Sequence, residues 1–114
     1  MRNSRINSIG PSDTFANVAQ SQTDSSIVAA VSGKVIVVNA FILKAGGTAT
    51  TCVFNSKPSG SGTAISATFA NGANGDTTAP YNPDGWFRTT RGEGLTVTTG
   101  AGATTGIQVS YTLE

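Results

Sequence analysis

A chain of 114 residues with a formal net charge of +1 has room for one domain and one modest core, and no global field to draw nucleic acid or an anionic membrane. It contains no histidine, so the usual general base, nucleophile activator and commonest metal ligand are missing, and Ser-His-Asp and Cys-His arrangements are excluded. A single cysteine, Cys52, excludes an internal disulfide framework and a multi-cysteine metal site, and is expected to pack as a small apolar residue.

Gly, Ser, Thr and Val are abundant and runs of helix formers are scarce, which predicts short strands joined by turns. Residues 1–14 are polar, with Pro11 and the isolated Ile6 and Ile9, and follow neither strand nor helix periodicity. They predict an extended N-terminal arm, which could span roughly 45 Å at about 3.3 Å per residue and reach another subunit. Arg2 and Arg5 would be its polar contacts. No apolar stretch follows the first residues, so no secretory signal and no membrane span are expected, and folding in a reducing cytoplasm is.

Residues 15–114 are expected to form one domain. After weak strands at 15–23 and 27–31 comes the most apolar run of the chain, Lys34 to Leu43, closed by Lys44 and Ala45-Gly46-Gly47. Strict alternation puts Val35, Val37, Asn39, Phe41 and Leu43 on one face and Ile36, Val38, Ala40 and Ile42 on the other. Both faces are apolar, so something must cover the second, and Ile36, Val38 and Ile42 are candidates for an interface with another copy of the chain or a larger surface. Thr48 to Lys57 reads as the next strand, and Thr63 to Ala70 as an amphipathic one with Ile65, Ala67 and Phe69 inward. The loop 71–76 leads to Pro80-Tyr81-Asn82-Pro83-Asp84-Gly85-Trp86-Phe87-Arg88, where Pro83 and Asp84-Gly85 predict a tight turn that delivers one of Trp86 and Phe87 to the core and the other outward. A turn at 91–94, a strand at 95–99 and a last amphipathic strand with Ile107, Val109, Tyr111 and Leu113 on one face complete the pattern. About eight short strands predict an all-β antiparallel sandwich, of jelly-roll type.

The chemistry available is thin. Asp84 and Glu93 are the only carboxylates near an aromatic platform, and Glu93 between two glycines is better explained as a turn residue paired with Arg88 or Arg91. No enzymatic role is expected. Asn71, Asn74, Asp76 and Asp84 offer oxygen ligands of the kind calcium takes, but their spacing is not that of an EF-hand and turn chemistry accounts for them, so neither a metal nor a cofactor is expected. Tyr81 and Trp86, with Asn82, Asp84 and Arg88 as polar partners, form a candidate binding surface for a carbohydrate or receptor.

Ser32-Gly33-Lys34-Val35-Ile36-Val37, the turn at Ala45-Gly46-Gly47, Thr51 to Lys57, Gly92-Glu93-Gly94-Leu95, Gln108-Val109-Ser110-Tyr111 and above all Pro80-Tyr81-Asn82-Pro83-Asp84-Gly85-Trp86-Phe87 resemble segments of small structural proteins of tailed bacteriophages, over roughly residues 26–114. The resemblance implies a capsid decoration, or cement, protein: a small jelly-roll domain that assembles, often as trimers, on the outside of the expanded head shell. Its partner would be the major capsid protein, its location the virion surface after synthesis in the host cytoplasm, and its role to bridge capsomers mechanically. No catalytic residues accompany that resemblance. The competing expectation is a carbohydrate- or receptor-binding module of a tail or fibre that uses Trp86 and Tyr81.

Overall fold

In the computed structural model, which describes residues 11–114, those residues form ten strands and no helix. In chain order they are β1 (Ser12–Val18), β2 (Ser25–Val28), β3 (Ile36–Ala45), β4 (Thr50–Lys57), β5 (Thr63–Ala64), β6 (Phe69–Asn71), β7 (Asp76–Ala79), β8 (Phe87–Arg88), β9 (Gly94–Thr99) and β10 (Thr105–Leu113). All pairings are antiparallel and make two packed sheets. Sheet I runs β1-β10-β3-β7, with β8 also on β3; sheet II runs β2-β9-β4-β5, with β6 also on β4. The fold is therefore the all-β antiparallel sandwich expected.

Two of its strands are interrupted. β5 and β6 both pair with β4, and β7 and β8 both pair with β3, so each couple is one strand position broken by an excursion. Counted that way there are eight positions, ordered first-eighth-third-sixth in sheet I and second-seventh-fourth-fifth in sheet II, an order compatible with a jelly roll. The strand expected across 63–70 breaks where the Ser66 hydroxyl, instead of a backbone carbonyl, accepts the Phe54 N–H at 2.9 Å. Ile65 and Phe69 still pack on the core, but Ala67 is exposed. β7 arises from a stretch whose Asp-Thr-Thr-Ala sequence has no apolar alternation to announce it. β1 begins at Ser12, inside the expected arm, while Arg2 and Arg5 lie outside the described residues.

The core lies between the sheets. Ile36, Val38, Phe41, Leu43, Ile107 and Val109 from sheet I meet Cys52, Phe54, Leu95 and Val97 from sheet II. Four phenylalanines form its aromatic centre: Phe41 lies 5.3 Å from Phe54, 5.4 Å from Phe69 and 5.6 Å from Phe87 between ring centroids, and Phe54 lies 4.9 Å from Phe87. Such separations are those of offset and edge-to-face pairs.

The strict alternation expected along β3 is corrected by a β-bulge. Val38 pairs with Tyr111 and Ala40 with Ser110, so Asn39 is an extra residue with no partner in β10. The inserted residue shifts the side-chain phase: before it Ile36 and Val38 point into the core, and after it Phe41 and Leu43 do. Ile36, Val38 and Ile42 therefore do not share a face, and the first two, fully buried within their own chain, cannot form an interface with another. Ile42 remains on the outer face, 46% exposed.

Candidate functional site

Two features face outward from this frame: the 80–86 excursion with the groove beneath it, and the outer face of sheet I. The excursion is built on the bulge. Asn39, itself buried, receives the Asn82 N–H on its carbonyl at 2.8 Å, donates from Nδ2 to the Asn82 carbonyl at 3.0 Å, and accepts at Oδ1 from the Thr112 hydroxyl at 3.1 Å. The extra residue thus projects a complete amide from the sheet, and that amide ties down the loop joining β7 to β8.

Within the loop the expected turn forms. Gly85 N–H donates to the Asn82 carbonyl at 2.9 Å, Asp84 N–H donates to Asn82 Oδ1 at 3.0 Å, and Gly85 takes φ +82°. A Cβ added at Gly85 would run into Val37 Cγ1, so the turn sits directly on Val37. Here lies the cover for the outward side of β3 at Val37: Val37 is fully buried, and the lid over it is the chain's own 82–85 turn.

Beyond the turn, Phe87 enters the core cluster and Trp86 faces outward, 47% exposed. The Trp86 N–H of the backbone donates to the Val38 carbonyl at 2.8 Å and its indole Nε1–H to the Pro80 carbonyl at 2.8 Å, so the ring is pinned edge-on. It stands at the rim of a groove of ≈ 450 Å³ that opens between the broken edge strands of the two sheets, with Phe41, Phe69 and Phe87 among its walls. Tyr81, 57% exposed, is not among the groove's lining residues, so the two aromatic side chains singled out from sequence are not joined there.

Two of the three polar partners expected around Trp86, Asn82 and Arg88, are already engaged, while the Asp84 carboxylate makes no hydrogen bond among the described residues. Asn82 gives Oδ1 to Asp84 N–H and Nδ2 to the Gly85 carbonyl at 3.3 Å. Arg88 donates to the Asp84 carbonyl at 2.8 Å and to Glu114 Oε1 at 3.3 Å, an exposed ion pair of small stabilising effect. Hydroxyls lining the groove are committed as well: Thr77 to Asn71 Oδ1, Thr78 to Asp76, and Ser66 to the Ala67 carbonyl.

Glu93 does not pair with Arg88 or Arg91. Its Oε1 accepts from the buried Ser56 hydroxyl at 2.6 Å, and Ser56 Oγ in turn accepts the Thr90 N–H at 2.9 Å, tying the turn at 90–93 to β4 in sheet II. Asp84 sits in the loop over β3, so the two carboxylates have different neighbours. At the asparagine-rich turn, Asn74 takes φ +57° and its carbonyl accepts the Lys44 ammonium at 3.0 Å, placing a cation of the chain's own where a calcium ligand was conceivable. Cys52 is buried, and loss of solvation pushes its thiol from 9.0 up to about 12.

One polar centre escapes sequence reasoning. Asp24, at φ +52°, accepts from Asn55 Nδ2 at 3.2 Å, Thr96 Oγ1 at 3.0 Å and Gly62 N–H at 3.0 Å, and clamps the 58–62 loop to β4 and β9. Its only signal is Asp in the polar stretch Gln22-Thr23-Asp24-Ser25, which marks a turn and nothing more.

The outer face of sheet I carries the second feature. Phe15 of β1, Gln108 of β10, Ile42 of β3 and Thr78 of β7 are in register across four strands. Phe15 is 75% exposed, the most exposed of the large apolar side chains among the described residues. Shallow hollows flank this row on both sides of Ile42 and Gln108. Comparison with protein-family models, with curated proteins and with solved structures finds no match.

Proposed function

We propose that this chain is a virion structural protein, a capsid decoration or cement protein that associates with copies of itself and with the major capsid protein on the outside of a phage head. The observation that carries the proposal is the row Phe15-Gln108-Ile42-Thr78, which puts two exposed apolar side chains on the outer face of sheet I. The proposal takes these two side chains, with Gln108 between them, as the apolar anchors of a contact face. The resemblance of the 80–87 segment to phage structural proteins supplies the partner, and the shape-determining role of that segment over Val37 fits a protein whose work is mechanical. On a lattice of many identical sites, modest single contacts suffice for lasting attachment.

Sedimentation with expanded heads tests the proposal. The protein is expected to pellet with heads to a saturating number of copies, and Ile42→Lys to lower that number. Protein that stays in the supernatant at every head concentration would contradict the proposal.

A second reading, a carbohydrate- or receptor-binding module, is favoured by one observation: the half-exposed Trp86 ring at the rim of the ≈ 450 Å³ groove. Because Trp86 is the sole tryptophan, its emission reports on the groove alone. That reading requires the emission to change on titration with oligosaccharides, and an unchanged spectrum contradicts it. The engagement of Asn82, Arg88 and the groove hydroxyls within the chain favours the first reading.

A further inference from the structure

A sheet edge presents a row of backbone N–H and C=O groups able to pair with another strand, and proteins blunt such edges with short strands, bulges, prolines, charges or covering segments. Four of the five other edge segments here are short or interrupted pieces: β7 has four residues and β8 two, separated by the 80–86 loop, while β5 has two and β6 three. The fifth, β2, has four residues and a register shift between Ser26 and Val28. β1 is different. Its seven residues pair with β10 in unbroken register from Ser12 to Val18, it contains no proline, lysine or arginine, and no described strand pairs with its other side. The one charge it carries, Asp13, has its carboxylate engaged by the Ser110 hydroxyl.

Phe15 is the middle residue of Ser12–Val18. A two-fold antiparallel pairing of β1 with β1 of a second copy, centred on Phe15, uses all seven residues of both strands. It sets Phe15 opposite Phe15, Asp13 opposite Asn17 and Ser12 opposite Val18, with no like charges face to face. From this self-complementarity we infer that β1 is a homotypic interface, through which two copies join their first sheets edge to edge. The four strand positions of sheet I in each copy then form one continuous sheet, and the row Phe15-Gln108-Ile42-Thr78 runs on into its two-fold mate. The exposed phenylalanine of each copy gains a cross-strand aromatic neighbour, the kind of pair that stabilises sheets. The inference rests on the self-association contained in the proposed function and is independent of the head shell; a two-fold contact also departs from the threefold order that the phage resemblance implies.

Site-directed crosslinking of the full chain tests it. Facing residues of an antiparallel pair have Cα atoms about 4.5 to 5.5 Å apart, within the range a disulfide spans. Phe15→Cys is therefore expected to oxidise to a covalent dimer, while the buried native Cys52 stays silent. Ile42→Cys, about five strand spacings or roughly 24 Å from its mate, is expected not to crosslink. Phe15→Lys, which sets two ammonium groups opposite one another, is expected to weaken the dimer at least about tenfold while leaving thermal unfolding of the monomer unchanged. Equal crosslinking of Ile42→Cys would overturn the edge pairing in favour of face-to-face stacking. An oligomer of normal mass in which Phe15→Cys fails to crosslink overturns the pairing but leaves self-association standing, and a monomer at all concentrations overturns both.

Discussion

Glycines at the same φ have unequal importance, and the difference is set by what lies above them. Gly85 and Gly92 both take φ +82°, but a Cβ at Gly85 meets Val37 while one at Gly92 meets nothing within 4 Å. Gly92→Ala should therefore cost about 1 kcal/mol, the backbone penalty alone. Gly85→Ala should cost about 2 to 4 kcal/mol, because overpacking against Val37 is added; chemical denaturation of the two variants measures the difference, and equal losses would show that the turn does not sit on Val37. Cys52 supplies a pH test at the same scale. Its thiol is raised in the folded state from 9.0 to about 12, so its contribution to stability is whole below pH 9 and declines as pH rises from 9 to about 12, by about 1.4 kcal/mol per unit. Stability across that window should fall more steeply with pH for the native chain than for Cys52→Ala. Identical slopes would mean that the thiol is hydrated.

The element that decides the arrangement is β3, and its bulge is where alternation read from sequence departs from the fold. Lys34 to Lys44 was legible as the central apolar strand, but a run apolar on both faces gives no phase error to detect, and one extra residue reassigns every side chain after it. The clue lay in Asn39, a lone amide inside the run that needs partners once buried. A pair of substitutions exposes the phase. Val38→Asp places an unpaired charge in the core and should abolish folding, whereas Ile42→Asp on the outer face should shift stability by about 0.5 kcal/mol or less. Strict alternation, which puts the two on one face, requires similar effects, so circular dichroism of both variants separates the alternatives. The breaks in β5/β6 and β7/β8, and β7 itself, escaped sequence reasoning for a related reason: they are set by contacts such as those of Ser66 and Asn39, not by the periodicity of the strands.

For the molecule as a whole, the sandwich, about eight strand positions and the opposed directions of Trp86 and Phe87 were readable from alternation and turn chemistry, because those signals are local, whereas which of the two rings enters the core came only with the fold. The surface was not, since the face that stays open depends on which segment folds back over β3. The 82–85 turn covers Val37 and Asn39 and leaves Ile42 open in the same cross-strand row as Phe15, with Gln108 between them, so the proposed contact face is the row Phe15-Gln108-Ile42-Thr78 instead of Ile36-Val38-Ile42. In the proposed assembly, copies of the chain meet through the β1 edge of sheet I, at the end of that row. Sedimentation equilibrium of the full chain, from micromolar to sub-millimolar concentration, tests it most directly. The predicted result is a concentration-dependent rise to a multiple of 11.5 kDa that Phe15→Lys suppresses; a constant 11.5 kDa throughout, or an oligomer that Phe15→Lys leaves intact, would contradict it.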